Sequence, residues 1–79
     1  MIEAFVLVVV KPGYEDEVHT ALAGHENIKE IYRVYGEYDL ILRVEVGSIE
    51  ELDSFHDGVL RKVRHIEMTE TLIASSYRG

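Results

Sequence analysis

The sequence contains no cysteine, so neither disulfides nor cysteine-based zinc sites stabilise it. Its 79 residues suffice for one domain, residues 1–79, whose core supplies only about 3–5 kcal/mol. Domains this small usually need a disulfide, a metal or a partner subunit. Because disulfides are excluded, we expect the chain to associate with itself, and a hydrophobic content of 47% is typical of a folded domain.

Basic residues are also few, since 8 Lys and Arg against 15 Asp and Glu give a net charge of −7. Nucleic-acid binding depends on Lys and Arg side chains that neutralise phosphates, so we expect no direct nucleic-acid contact. No apolar run reaches the about 18 residues of a membrane helix, and the apolar start has no features of a signal peptide. We therefore predict a cytoplasmic chain without membrane contact.

Motifs of catalysis and cofactor binding are missing. The chain has no nucleophilic cysteine, no Gly-x-Ser-x-Gly turn, no phosphate-binding loop and no dinucleotide-binding fingerprint. Its histidines have no metal-ligand spacing. They are His19, His25, His56 and His65. We expect neither an enzyme nor a bound metal or cofactor.

Hydrophobic periodicity predicts six elements. The predicted strands are residues 4–10, 28–35, 38–46 and 64–77, and the predicted helices are residues 14–24 and 48–63. Ser48 and Glu51 form a capping box at the start of the second helix. The order strand, helix, strand, strand, helix, strand predicts an α+β fold of the ferredoxin-like βαββαβ type, a four-stranded antiparallel sheet with both helices on one face.

The first strand is apolar on both faces. One face carries Ala4, Val6, Val8 and Val10, and the other carries Phe5, Leu7 and Val9. Helices cover only one side of such a sheet, so we expect the second side to form a sheet-to-sheet dimer. In the third strand, alternation from Tyr38 onward predicts that Tyr38, Leu40 and Leu42 meet the helices.

The tetrapeptide Gly36-Glu37-Tyr38-Asp39 covers the break between the second and third predicted strands and the first two residues of the third. A turn explains it, because glycine adopts unusual backbone angles and Asp bonds nearby backbone. A ligand site is the alternative interpretation, because turn N–H groups can bind a negative group and Asp39 can bind a positive one. An amino acid carries both groups. Thr69 and Thr71 present two hydroxyls on one strand face, where Thr is also simply a good strand former. Beside Asp39 they would complete a small polar site.

Three segments together resemble the RAM domain (regulation of amino acid metabolism), the effector-binding module of Lrp/AsnC transcription regulators. They are Val-Tyr-Gly-Glu-Tyr-Asp-Leu-Ile-Leu at 34–42, Ser-Ile-Glu-Glu-Leu at 48–52 and Thr-Glu-Thr at 69–71. The resemblance extends from Ile2 to about Tyr77. One departure is His65-Ile66, where family members often carry Gly-Val.

The resemblance implies a non-enzymatic, amino-acid-sensing domain in transcription regulation. Family members carry a helix-turn-helix domain before this module, and here the first strand follows Met1 almost at once, so we expect a stand-alone form without one. Dimers joined through their sheets would assemble into a higher oligomer, an octamer. An amino-acid effector would lie where dimers meet, and full-length Lrp/AsnC regulators are the expected protein partners.

The resemblance also assigns roles to residues of this chain. Gly36 and the turn backbone that includes Glu37 would face the carboxylate of the effector, and Asp39 its ammonium group. Thr69 and Thr71 would orient the effector. Tyr38 would support the site from the helix side of the sheet.

Two alternatives share this fold. A dimeric α/β-barrel enzyme of the cofactor-independent monooxygenase kind would need a histidine or an asparagine in the cleft between helices and sheet, and His56 is the candidate. An ACT-like amino-acid-binding module usually has a glycine at the end of the first strand, which Gly13 matches only loosely.

Overall fold

The computed structural model describes residues 1–75, which form a four-stranded antiparallel sheet and two helices. The strands are β1 (Ile2–Val10), β2 (Ile28–Arg33), β3 (Leu40–Val46) and β4 (Ile66–Ile73), and the helices are α1 (Glu15–Leu22) and α2 (Ile49–Gly58). The strands lie in the order β2-β3-β1-β4. This is the predicted ferredoxin-like arrangement.

The core lies between one side of the sheet and the two helices. Alternate residues of β1 and β3 are buried there: Ala4, Val6, Val8, Val10, Leu40, Leu42, Val44 and Val46. The helices contribute Val18 and Leu22 from α1 and Leu52 and Phe55 from α2. In the described part of the chain, no helix has the length and hydropathy needed to cross a membrane.

Among residues 1–75, no helix lies on the other side of the sheet, which we call the open face. Its apolar residues are Phe5, Leu7 and Val9 on β1, Ile41 on β3, and Met68 and Leu72 on β4. Met68 and Leu72 are about half exposed, at 55% and 47%. The sequence assigned the β1 members of this set correctly, because strict alternation holds along that strand.

Several element boundaries differ from prediction. β2 ends at Arg33 and β3 begins at Leu40, so their connection is longer than a tight hairpin. The second helix ends at Gly58, and the 3₁₀ turn Leu60–Lys62 follows it. The last predicted strand begins later, at Ile66, and residues 76–77 of that prediction lie outside the described residues.

The pairing of β4 with β1 is irregular at one point. Met68 lies opposite Val9 and Ile66 opposite Val10, so the register shifts between these pairs. Ile66 therefore packs against the core while Met68 lies on the open face, although alternation places both on one face. Beyond this bulge, alternation is regular.

The capping box at the start of α2 is confirmed. The Ser48 hydroxyl accepts a hydrogen bond from the Glu51 N–H at 3.1 Å, and the Glu51 carboxylate accepts one from the Gly47 N–H at 2.7 Å. The carboxylate thus pairs with the residue before the N-cap. Two otherwise free backbone donors are satisfied, which fixes where α2 begins.

His65, where the resemblance expects glycine, has a φ of 74°. Its carbonyl accepts a hydrogen bond from the Lys11 N–H at 2.9 Å. Its ring stacks on Tyr14, with 3.7 Å between the ring centroids. The left-handed conformation is unfavourable for a residue with a Cβ atom, and we infer that the stacked ring offsets this cost.

We predict that His65→Ala destabilises the domain by about 1 kcal/mol, because it keeps the backbone strain and loses the stack. His65→Gly also loses the stack but removes the strain, so it should be about 1 kcal/mol more stable than His65→Ala. Urea unfolding of the three proteins at one concentration measures this order. An alanine variant more stable than the glycine variant would contradict it.

Candidate functional site

The connection between β2 and β3, residues 34–39, contains the predicted tetrapeptide. The Val34 N–H donates to the Asp39 carbonyl at 3.0 Å and closes the loop. Within it Gly36 has a φ of 135°, although a Cβ atom there would meet nothing within 4 Å. The backbone conformation therefore favours glycine, and the space beside the glycine is open.

Asp39 ties this loop to the central strand. Its N–H donates to the Val8 carbonyl at 2.8 Å, and its Oδ2 accepts a hydrogen bond from the Val10 N–H at 2.7 Å. Because β3 begins only at Leu40, opposite Val8, it offers no backbone group to Val10, and the carboxylate takes that place. The second oxygen, Oδ1, has no hydrogen bond among residues 1–75.

Tyr38 does not meet the helices, so that prediction is wrong. Its hydroxyl donates to the Glu70 carboxylate at 2.6 Å, and Glu70 lies opposite Leu7 on the open face. This hydrogen bond raises the pKa of the Tyr38 hydroxyl. Strand alternation fails here because β3 starts two residues later than predicted. Glu37 is exposed at the tip of the connection.

Thr69 and Thr71 lie on β4 and share the helix side of the sheet, opposite Val8 and Val6. The Thr69 hydroxyl is 3.4 Å from Nε2 of His56, and the Thr71 hydroxyl oxygen is buried without a partner among residues 1–75. β1 lies between them and Asp39, so about 10 Å of sheet separates the two sets. One copy of the chain therefore does not bring the threonines to Asp39.

A cleft of about 360 Å³ lies beside Asp39 at the first turn of α1. Glu15, Arg33, Val34, Tyr35 and Asp39 line it. Sequence analysis missed Glu15 and Arg33 as site residues, because Glu15 reads as a helix-dipole charge and Arg33 as an ordinary strand residue. The sequence did contain one indication of a role for Arg33, because this residue lies shortly before the glycine turn.

A second cleft, of about 310 Å³, lies between α2 and β4 and is lined by His56 and Thr69 among others. A histidine does therefore line a space between a helix and the sheet, as the enzyme alternative requires. The adjacent Arg61 is exposed and lies 3.8 Å from Asp57. The geometry is compatible with the enzyme alternative, and comparison with known proteins is needed to decide between the two.

The fold is that of a family of ligand-binding domains. The family model that matches residues 3–77 is described as the Lrp/AsnC ligand binding domain. The HTH-type transcriptional regulator FL11 of Pyrococcus abyssi is 39% identical over 70 residues, which cover 89% of this chain and 46% of that relative. This chain belongs to the Lrp/AsnC ligand-binding family, and it spans about half the length of the curated relatives it matches.

Solved structures agree with this assignment. The crystal structure of FFRP-DM1 is 45% identical, with a TM-score of 0.90, and the match covers 95% of this chain and all of that one. Escherichia coli AsnC, at 22% identity and a TM-score of 0.91, shows the same fold over 96% of this chain and 52% of its own. The matched family is a ligand-binding domain family rather than an enzyme family, and FL11 is a transcriptional regulator, so the relatives give the monooxygenase-type alternative no support.

We predict that Asp39→Ala lowers the free energy of unfolding by about 1–3 kcal/mol, because it leaves the buried Val10 N–H without an acceptor. Asp39→Asn keeps an acceptor oxygen and should lose less than half of that amount. Urea denaturation at a fixed protein concentration compares them. Equal stability of the alanine variant and the unsubstituted protein would show that the hydrogen bond contributes nothing.

Proposed function

We propose that this chain is an amino-acid-sensing regulatory domain that acts in the cytoplasm through its oligomeric state. An amino acid binds at the β2–β3 connection, dimers form through the open face, and dimers assemble into an octamer. The assembled form acts by contact with full-length Lrp/AsnC regulators. Family membership supports a regulatory domain, and the identity of the ligand and the size of the oligomer are parts of the proposal.

The observation that carries the ligand assignment is the fixed carboxylate of Asp39 beside an open glycine turn. One oxygen is held by the Val10 N–H, so the other is positioned without further ordering of the side chain. An ammonium group is its natural partner, and the N–H groups of the turn suit a carboxylate. An amino acid supplies both groups at a fixed separation.

Thr69 and Thr71 enter the proposal through a second copy of the chain. They lie on the far side of β1 from Asp39, so they and Asp39 contact one small ligand only if neighbouring copies each supply one set. This arrangement is consistent with a ligand held between dimers. Glu37, exposed at the loop tip, would line the same contact.

The open face supports the dimer. Its apolar side chains lie on three adjacent strands, and monomeric proteins rarely expose many such residues on one face. The polar groups among them are paired, because Arg43, opposite Phe5, contacts three carboxylates at 2.7–3.1 Å and Glu70, opposite Leu7, accepts a hydrogen bond from Tyr38. Apolar side chains beside paired polar groups are the usual composition of an interface between identical subunits.

The proposed mechanism is the thermodynamic linkage of ligand binding to assembly. A ligand that contacts two dimers binds the assembled form better than free dimers, so it shifts the population toward assembly. A ligand concentration of 100 times Kd contributes about 2.7 kcal/mol to the state that binds it. The size of the oligomer then reports the concentration of the effector.

We predict that Leu72→Asp converts the dimer to a monomer, because it places an unpaired charge among the apolar side chains of the interface and weakens association by tenfold or more. Ile49→Asp is the matched control, since Ile49 on α2 and Leu72 are both 47% exposed. Sedimentation velocity measures the mass of each. Loss of the dimer in both variants, or in neither, would contradict an open-face interface.

We predict that isothermal titration detects binding of at least one standard amino acid, and that Asp39→Asn weakens it by about tenfold or more through loss of a charged hydrogen bond. Asp53→Asn removes an exposed carboxylate from α2 and should leave affinity unchanged. Circular dichroism confirms that both variants are folded. Absence of heat with every amino acid at millimolar concentration would refute the proposed function.

A further inference from the structure

We propose that Arg33 binds the carboxylate of the effector and that the cleft beside it selects amino acids with a cationic side chain. This inference rests on the proposed function and names the class of ligand. The cleft volume of about 360 Å³ falls within the range of small-molecule sites, roughly 300–1,000 Å³. The argument depends on which charges line this space.

Arg33 is available to a ligand. Its Nη1 lies 2.9 Å from Oδ1 of Asp16, and both side chains are exposed, at 56% and 95%. Exposed ion pairs of this kind contribute little, so a ligand carboxylate can replace or join Asp16. A guanidinium group has further N–H donors in a planar fork that matches a carboxylate, which a turn N–H alone does not provide.

Negative charge dominates the walls of the cleft. Glu15 and Asp39 line it, Arg33 is its cation, and Asp16 lies against that cation, so three carboxylates face one guanidinium. Glu15 is held in place, because its Oε1 accepts a hydrogen bond from the Gly13 N–H at 3.1 Å. Its other oxygen has no hydrogen bond among the described residues.

Charge balance then decides the class of amino acid. In any amino acid, the carboxylate binds Arg33 and the ammonium binds Asp39, so the excess negative charge of the cleft is unchanged. A side-chain cation near Glu15 reduces that excess, whereas a side-chain carboxylate increases it. Tyr35, fully exposed at the mouth of the cleft, offers an apolar surface to the methylene groups of such a side chain.

The test is titration of the full chain at low salt with L-lysine, L-norleucine and L-glutamate. Norleucine is lysine without its side-chain ammonium, so the comparison isolates that charge. We expect lysine to bind about tenfold tighter than norleucine, and glutamate to bind weakest. Glu15→Gln should reduce the preference for lysine and leave norleucine affinity unchanged. Norleucine or glutamate binding as tightly as lysine would overturn the assignment of the ligand class.

Lysinamide, which lacks the α-carboxylate, tests Arg33. The unsubstituted protein should bind lysine about tenfold tighter than lysinamide, and Arg33→Gln should abolish that difference. Arg61→Gln is the matched control, because Arg61 is also exposed and paired with a nearby carboxylate, and it should keep the difference. An unchanged difference in Arg33→Gln would overturn the role of Arg33.

The results separate the two proposals. If norleucine, lysine and the other amino acids all fail to bind, the proposed function and this inference fall together. If amino acids bind and Asp39→Asn weakens them, but Arg33→Gln does not, the proposed function stands and the role of Arg33 is refuted. Circular dichroism spectra that match the unsubstituted protein confirm that each variant is folded.

Discussion

Strand β1 is the constraint on which the remainder of this domain depends. It pairs with β3 on one edge and β4 on the other, and it is apolar on both faces. Its helix side forms the centre of the core, and its open side supplies the middle of the proposed dimer interface. Because it lies between β3 and β4, it also separates Asp39 from Thr69 and Thr71. The same strand thus stabilises the fold and determines which site residues one copy can bring together.

The hydrogen bond between the Asp39 carboxylate and the Val10 N–H joins structure to the candidate site. A carboxylate held by a buried backbone donor keeps a fixed orientation, so its free oxygen needs no further ordering to meet a ligand. Alanine at position 39 would remove both the acceptor for Val10 and the charge. Asparagine keeps an acceptor oxygen and removes only the charge, so it separates the structural role of Asp39 from ligand binding. Asp39 can therefore stabilise the fold and remain available to a ligand.

The net charge of −7 is distributed unevenly, and its distribution matters more than its total. On the open face Arg43 contacts three carboxylates, which raises the pKa of Arg43, and its hydrogen bond to Glu30 lowers the pKa of Glu30. A lowered carboxyl pKa favours the charged form, so this pair persists until the pH falls through the folded-state pKa of Glu30. At the cleft beside Arg33, by contrast, the negative charge exceeds the positive charge that faces it.

The sequence determined the order of the elements, the two faces of β1 and the capping box of α2. These features depend on local alternation, helical spacing and hydrogen bonds between residues close in the chain. The tertiary structure decided the remaining features. β3 begins only at Leu40, so the Asp39 carboxylate serves the Val10 N–H and Tyr38 reaches the open face, and a bulge between β1 and β4 separates Ile66 from Met68. Arg33 and Glu15 line one cleft only because the end of β2 lies near the start of α1. Such contacts join residues distant in sequence, so the hydrophobic periodicity of the sequence does not predict them.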